Sequence, residues 1–328
     1  MTEIARIAAA LSREPAQPAV LATLVRVAGS SYRRPGARLL LLADGTRLGS
    51  ISGGCLEEDV LQRAQQVLAA GRPEVADYDT TNENDLVWGV GTGCKGAVRI
   101  FLEPIAAVRP PWIATLRENL AARRETELAV VYGGRTPGTF LASGPTPGKA
   151  DVFCETISAP PALVVFGAGD DVQPLVRLAT ETGWQVTVAD PRTGFATRER
   201  FPAATRILTA PAEKLVESAA PDERTFVVVM THRFAEDVQL LRDLFPRPLA
   251  YLGLLGTRAR SERLLERLAA DGFTPDEAMR ERFHAPVGLD LGGATPETVA
   301  LSILAEMQSR LTQRIPINLR DRLAPIHG

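Results

Sequence analysis

The sequence has few cysteines, few aromatic residues and no long apolar run. Its three cysteines stand far apart among 328 residues, and such an odd, scattered set excludes a disulfide framework. No apolar stretch approaches the roughly 20 residues of a membrane-spanning helix. The N-terminal residues also lack the basic and apolar regions of an export signal. These absences predict a cytoplasmic protein with reduced thiols and no membrane partner.

The charges show no excess of either sign. The chain has 37 Lys and Arg against 39 Asp and Glu, and its basic residues are dispersed. This balance argues against a nucleic-acid partner, which would favour a concentrated basic surface. With 45% apolar residues, the composition is that of a globular protein, and the length favours more than one domain.

Secondary-structure signals divide the chain into three segments. Residues 1–105 combine β-rich runs with a helix that is predicted to begin at Cys55, which indicates an α+β domain. Residues 106–158 combine a helix, short strands and turns rich in Gly and Pro, and are predicted to form a connecting subdomain. In residues 159–328 strands and helices alternate, as in a Rossmann-like parallel-sheet domain. The predicted fold class is therefore α/β, with an N-terminal α+β cysteine-bearing domain before the Rossmann-like one.

An incomplete dinucleotide fingerprint opens the third segment. Gly167 and Gly169 follow an apolar strand, where a pyrophosphate needs close approach to the backbone, but a valine replaces the third glycine. Asp190 ends the next strand about 20 residues further on and is suited to a ribose hydroxyl pair. The acids Asp170 and Asp171 suit the start of a helix but would repel a phosphate. The pattern predicts the fold more strongly than the ligand.

One of the three histidines lies where a parallel sheet binds ligands. His232 follows a predicted strand at its carboxyl end, and Asp237 on the next helix is a candidate partner. His232 is therefore a candidate site residue. The alternative is that Thr231 and His232 only satisfy the start of that helix. Surface or structural roles are expected for His284 and His327.

A second glycine turn follows a later strand of the same segment. Gly253 and Gly256 are predicted to line the crevice of the Rossmann-like domain. Arg258 or Arg260 is then a candidate to meet an anion. A solvated helix face is the alternative for both arginines.

Cys55 stands directly after two glycines. Gly53 and Gly54 free the backbone to bring its amides close to a ligand, and a helix N-terminus favours a thiolate. The alternative is that Cys55 fills a tight turn as a small buried residue.

The other two cysteines differ in their surroundings. Cys94 lies in a second glycine-rich stretch beside Lys95, and here too a buried filler is the alternative. Cys154, in a predicted strand, is expected to be a core residue. No CxxC pair accompanies any of the three, so neither a redox motif nor a zinc site is favoured.

Several segments together resemble the XdhC/CoxI family over nearly the whole chain. They are, in chain order, GSSYRRPGARLLL, GSISGGCLEED, GTGCKG, LVVFGAGDDVQPLVRLA, VADPR, MTHRFAED, YLGLLGTRARSERLL and APVGLDLGGATPETVALSILAEM. Members of this family are accessory proteins for molybdenum hydroxylases such as xanthine dehydrogenase and carbon monoxide dehydrogenase. The resemblance implies transient binding of the molybdenum cofactor, protection during its sulfuration and insertion into the apoenzyme. It also implies a homodimer, with the apo hydroxylase and a cysteine desulfurase as candidate partners.

The resemblance also gives the cysteines a role. Cys55 matches the Gly-Gly-Cys position of the family and Cys94 its second glycine-rich cysteine, so both are candidates to contact molybdenum or its terminal sulfur. Relatives tend to have Cys-Gly-Gly or Cys-Asn-Gly at the second position, whereas Lys95 follows here. A cation there suits the phosphate or the molybdate oxygens of the cofactor.

Two other functions stay open on the residues alone. One is an NAD(P)-dependent oxidoreductase, with a nucleotide in the crevice at Gly167, Gly169 and Gly256, Asp190 on the ribose and His232 as acid or base. The other is an interaction scaffold whose nucleotide fold is vestigial. The predicted function is a non-catalytic maturation factor for a molybdenum hydroxylase.

Overall fold

The computed structural model describes residues 2–79, 96–142 and 151–323. The chain forms two compact units, residues 2–160 and residues 161–328. The first unit includes both the segment predicted as an N-terminal domain and the segment predicted as a connecting subdomain. The boundaries at residues 105 and 158 stay predictions.

The larger sheet of the first unit has five antiparallel strands. The first strand along the chain lies at the centre of the sheet. The second strand pairs with one of its edges and the fifth strand with the other. The strands are β1 (Ala19–Gly29), β2 (Arg38–Leu42), β3 (Arg47–Gly49), β4 (Glu74–Asp79) and β5 (Gly96–Ile105).

Helices cover both faces of this sheet. They are α1 (Glu3–Leu11), α2 (Glu57–Ala70) and α3 (Pro111–Ala121). Because side chains alternate along a strand, Val20 and Ala22 of β1 pack with α2, while Ala19 and Leu21 pack with α1 and α3. Burial on both faces explains why the first seven residues of β1 are all apolar except Thr23.

A three-stranded antiparallel sheet completes the first unit. Its strands are β6 (Thr126–Val131), β7 (Gly138–Leu141) and β8 (Val152–Ile157), with β6 at the centre. Arg38 of β2 is buried and forms an ion pair with Glu155 of β8, which joins the two sheets. The prediction that Cys154 is a core residue is wrong: the strand period places Phe153 and Glu155 on the more buried side and leaves Cys154 exposed.

The second unit is a parallel sheet between two helical layers, which confirms the predicted fold class. The six strands lie in the order β11, β10, β9, β12, β13, β14. Their bounds are β9 (Ala162–Phe166), β10 (Gln185–Ala189), β11 (Arg206–Leu208), β12 (Thr225–Val229), β13 (Tyr251–Leu254) and β14 (Phe283–His284).

Two hydrophobic clusters flank this sheet. The helices are α4 (Val172–Glu181), α5 (Leu215–Ala219), α6 (Phe234–Leu244), α7 (Arg258–Ala270), α8 (Glu277–Glu281) and α9 (Pro296–Leu311). Leu163 and Val165 of the central β9 pack towards α4 and α9, and Val164 and Phe166 pack towards α5, α6 and α7. From β9 the chain proceeds outwards to β10 and β11, and it then crosses back to β12 on the other side of β9. The switch point of the sheet therefore lies between the carboxyl ends of β9 and β12.

Within the described ranges, no helix is both long enough and apolar enough to cross a bilayer.

Candidate functional site

Cys55 lies in an exposed loop between β3 and α2. The helix begins at Glu57, two residues later than the sequence predicts, so Cys55 precedes it and is exposed. Gly54 has a φ of 115°, a left-handed conformation that favours glycine. A Cβ on Gly53 would lie 3.5 Å from the ring of Tyr32, in ordinary contact. The loop thus presents the thiol to solvent instead of packing it as a filler.

The hydroxyl of Ser52 holds this loop together. Its oxygen accepts hydrogen bonds from the amides of Gly54 at 3.2 Å and Leu56 at 3.1 Å. The Cys55 thiol donates to the same oxygen, with an Sγ to Oγ distance of 3.6 Å. The hydroxyl itself donates to the carboxylate of Glu57. One buried side chain therefore fixes the position of the cysteine relative to the helix.

The carboxylate of Glu57 is committed to the loop. The Ser52 amide donates to its Oε1 at 2.7 Å and the Ser50 hydroxyl at 2.8 Å. Burial raises the pKa of Glu57, but the hydrogen bonds from Ser52 and Ser50 outweigh it and hold the pKa below its ordinary value. Glu57 is therefore an anion whose acceptor sites are already in use. Sequence reasoning missed this network, although two serines before an acidic first turn were its signal.

An open groove of about 840 Å³ lies beside the cysteine loop. Gly54 and the first three turns of α2 form one wall, and the turn between β2 and β3 forms the other. Its lining residues are Leu41, Gly45, Arg47, Gly54, Glu57, Glu58, Leu61, Gln62 and Gln65.

The second predicted metal contact is Cys94, with Lys95 beside it. Cys94 and Lys95 lie outside the described residues. Among the residues that the structure describes, no three His, Cys, Asp or Glu side chains form a group able to hold a metal ion. The assignment of Cys55 and Cys94 as molybdenum contacts stays a prediction.

In the second unit, Gly167 makes the tight turn after β9. Its φ is 116°, and a Cβ would lie 2.4 Å from the carbonyl oxygen of Met230 at the end of β12. Glycine is therefore required for the two strand ends to meet. Val172, in place of the third fingerprint glycine, is fully buried in the core beneath this turn.

The carboxylate of Asp190 is already occupied. It accepts hydrogen bonds from the Ala168 amide at 2.8 Å and from the Arg192 side chain at 2.7 and 2.9 Å, and only 1% of the residue is exposed. Burial raises the pKa of Asp190, but the hydrogen bonds and the charge of Arg192 outweigh burial and hold this pKa below its ordinary value. A ribose at this carboxylate would have to displace Arg192.

His232 bonds to Asp171 instead of Asp237. Its Nε2 lies 2.7 Å from Oδ2 of Asp171, and its Nδ1 forms no hydrogen bond within the described part of the chain. Hydrogen bonding to Asp171 raises the pKa of His232 more than burial lowers it. Asp237 is buried and bonds to the Thr231 hydroxyl and, at 2.6 Å, to Arg260. The expectation that Asp237 reaches His232 is wrong, because packing of α6 against α7 gives it a closer cation.

Gly256 and Gly253, which are also predicted to line the crevice, differ in their positions relative to β13. Gly256 lies after β13 with a φ of 149°, and a Cβ there would approach the Arg260 side chain. Gly253 is inside β13, where a Cβ would lie 2.6 Å from Val287 and 2.9 Å from the ring of Tyr251. It makes room for packed side chains within the core and does not follow the strand as predicted.

The acids at the start of α4 each have a basic partner. Arg200 forms an ion pair with Asp170 at 2.7 Å and also donates to the Ala168 carbonyl at 2.8 Å. Asp171 has His232. Gly169, Asp170 and Asp171 therefore form a turn whose charge depends on these two partners.

Comparison with known proteins identifies the family. Residues 12–79 match the model of the XdhC and CoxI family, and residues 163–307 match that of the XdhC Rossmann domain. The chain belongs to the XdhC and CoxI family, and the predicted resemblance is confirmed.

Three relatives match nearly the whole chain. A protein of Bacillus subtilis (strain 168), named as a probable xanthine dehydrogenase component, is 33% identical over 317 residues, which cover 90% of this chain and 93% of that protein. The molybdenum cofactor insertion chaperone PaoD of Escherichia coli (strain K12) is 25% identical over 291 residues, 89% of this chain and 83% of PaoD. A crystal structure from Bacillus halodurans, described as a xanthine dehydrogenase, superposes with a TM-score of 0.78 at 30% identity, covering 96% of this chain and 97% of that one.

Proposed function

We propose that this protein is a cytoplasmic accessory chaperone that binds the molybdenum cofactor as cargo. It protects the cofactor during sulfuration and inserts it into a molybdenum hydroxylase of the xanthine dehydrogenase or carbon monoxide dehydrogenase type. Family membership and similarity to PaoD, a chaperone by name, support this role. The single structural observation that carries it is the exposed Cys55 loop, which lies in the segment that matches the family.

In this proposal Cys55 contacts the molybdenum or its terminal sulfur. Thiolates are soft ligands and suit such a centre. Gly53 and Gly54 leave space for the cargo, and Cys94 with Lys95 supplies a second contact. The partners are the apo hydroxylase and a cysteine desulfurase, and the chaperone acts as a homodimer.

The second unit has a less direct role in this proposal. Gly167, Gly169, Asp190, His232 and Gly256 remain candidates for binding a nucleotide portion of the cargo or a separate dinucleotide. The NAD(P)-dependent oxidoreductase alternative has less support, because Asp190 already holds Arg192 and the Ala168 amide.

Anaerobic binding of the cofactor tests the function. Wild type is expected to retain molybdenum after desalting. Cys55→Ser should retain at least roughly tenfold less molybdenum, because loss of a direct metal contact weakens binding at least as much as loss of a residue that supports a metal ligand. Cys154→Ser is the matched control, because Cys154 is also an exposed thiol of the first unit. Cys94→Ser tests the second contact.

Two outcomes would contradict the proposal. One is wild-type protein that retains no molybdenum. The other is Cys55→Ser protein that retains as much molybdenum as wild type and the Cys154→Ser control. A parallel titration with NADH, read by nucleotide fluorescence, would show saturable binding if the oxidoreductase alternative were correct.

A further inference from the structure

The groove beside Cys55 is lined by cationic, apolar and amide side chains. A cation, Arg47, lies on the strand that follows the turn between β2 and β3. The apolar side chains of Leu41 and Leu61 and the amides of Gln62 and Gln65 also line the groove. Its volume of about 840 Å³ falls in the range of small-molecule sites.

Arg47 is available to a ligand. Its guanidinium forms no ion pair or side-chain hydrogen bond within the described ranges, whereas Arg33, Arg38 and Arg63 of the same unit pair with carboxylates. An exposed guanidinium offers a planar set of donors that matches a phosphate. Arg47 is therefore the cation of the groove.

The acids of the groove are not equivalent. Glu57 is held by Ser50 and Ser52, so its charge is directed into the loop. Glu58 is exposed and lines the groove, where its carboxylate can accept from N–H donors. A ligand that fits must therefore carry both an anionic group and N–H donors.

The helical wall sets the length of the ligand. Glu58 and Gln65 stand seven positions apart on α2, a rise of about 10 Å along the helix axis. Glu58, Gln62 and Gln65 follow the spacing of one helix face, so their polar groups form a row. A flat fused-ring heterocycle with N–H donors and a carbonyl acceptor matches such a row.

We propose that this groove binds the pterin of the cargo and that Arg47 holds its phosphate. The proposal rests on the proposed function. The Glu58 carboxylate and the two glutamine amides pair with the polar edge of the pterin, and the apolar side chains contact its ring face. Cys55 lies in the chain between the lining residues Gly54 and Glu57, which places the metal end of the cargo next to the thiol.

Fluorescent pterins test this binding without the metal. The probes are the oxidised pterin derived from the cofactor, with its phosphate and after enzymatic removal of the phosphate, titrated into the full-length protein by fluorescence. Wild type is expected to bind the phosphorylated probe roughly ten- to hundredfold more tightly, the range of a charge-assisted hydrogen bond. Arg47→Gln should abolish this preference and leave binding of the dephosphorylated probe unchanged.

Two further variants separate the groups of the groove. Arg72→Gln is the matched control, because Arg72 is exposed beyond the end of α2 and does not line the groove. It should keep the wild-type preference. Gln65→Leu should weaken binding of both probes by a similar factor, since it removes a contact to the ring and not to the phosphate.

The inference is overturned if wild type binds neither probe, or if Arg47→Gln keeps the preference for the phosphorylated probe. Its failure is distinct from failure of the proposed function. Wild type that retains molybdenum through Cys55 while Arg47→Gln behaves as wild type would reject only the groove. Wild type that retains no molybdenum would reject the chaperone role itself.

Discussion

His232 combines an unusual backbone with a charged partner. Its φ of 61° lies in the left-handed region, which costs a residue with a side chain roughly 1 kcal/mol or more. The hydrogen bond to Asp171 helps to hold this conformation at the end of β12. The ring is thereby held at Nε2.

The titration of His232 should depend on Asp171. The pKa of His232 lies above its ordinary value of 6.5, chiefly through the hydrogen bond to Asp171 and further through the charge of Asp237, against burial and the charge of Arg260. Asp171→Asn is expected to lower this pKa, measured by NMR titration of the imidazole signals. Only three histidines occur, so His232→Gln assigns the signal.

This pair also predicts a dependence of stability on pH. A histidine whose pKa is raised on folding stabilises the folded state fully below about pH 6.5, and the contribution is lost as pH rises through the higher folded value. Asp170→Asn is the control, because Asp170 pairs with Arg200. An unchanged His232 titration in Asp171→Asn would contradict the assignment.

At the level of elements, Glu306 connects α9 to two strands. Its Oε2 accepts from the Tyr251 hydroxyl of β13 at 2.5 Å and from the Gly288 amide at 2.8 Å. Its Oε1 lies 3.0 Å from Nδ1 of His284 in β14, whose ring stacks on Tyr251 with centroids 4.4 Å apart. His284 therefore has a structural role, as the sequence suggests.

Glu306→Gln should destabilise the second unit by about 2 kcal/mol, because the amide cannot accept every bond that the carboxylate accepts. Burial raises the pKa of Glu306, but bonds from His284, Tyr251 and Gly288 outweigh it and lower the pKa to about 2. The carboxylate thus stabilises the fold fully above its ordinary value of 4.5, and the contribution is lost as pH falls towards 2.

Denaturant unfolding at several pH values checks this prediction. The difference between wild type and Glu306→Gln should be full at pH 7 and shrink between pH values of about 4.5 and 2. Glu297→Gln is the control, because Glu297 is exposed in the first turn of the same helix. A difference that does not change with pH would show that the carboxylate charge is not responsible.

The sequence predicted most elements but few of the contacts between them. The apolar periods of β9 and α4 and the turn at Gly167 are local, so their pattern could be recognised. The start of α2 was misplaced because Ser52 satisfies the amides of Gly54 and Leu56 before the helix begins. A single hydroxyl that bridges several residues leaves no periodic signal.

The sequence did not predict the pairs of site residues that lie far apart in the chain. Asp171 and His232 are 61 positions apart and meet because β9 and β12 are neighbours in the sheet. Asp237 was assigned to His232 because it lies on the helix that follows, but the Asp237 carboxylate instead accepts a hydrogen bond from Arg260 of α7. Strand order and helix packing decide such pairs, and neither can be read from local composition.

At the scale of the whole molecule, each unit has its own hydrophobic cores. Leu21 is fully buried in the first unit and Leu163 in the second. We expect calorimetry to resolve two unfolding transitions, because separate cores can lose their packing independently.

Matched cavity variants identify the transitions. Leu21→Ala and Leu163→Ala should each destabilise one unit by about 2–5 kcal/mol and lower one transition only. A single transition that shifts as a whole in both variants would show that the two units unfold as one.

Two buried indoles give the molecule a spectroscopic property of its own. Trp112 is buried in the core of the first unit, and Trp184 is buried in the second with its ring edge-on to Phe226 at 4.9 Å. The third tryptophan, Trp88, lies outside the described residues. Replacing it with phenylalanine would leave one tryptophan in each unit, so a single tryptophan emission spectrum would report on both without any attached dye.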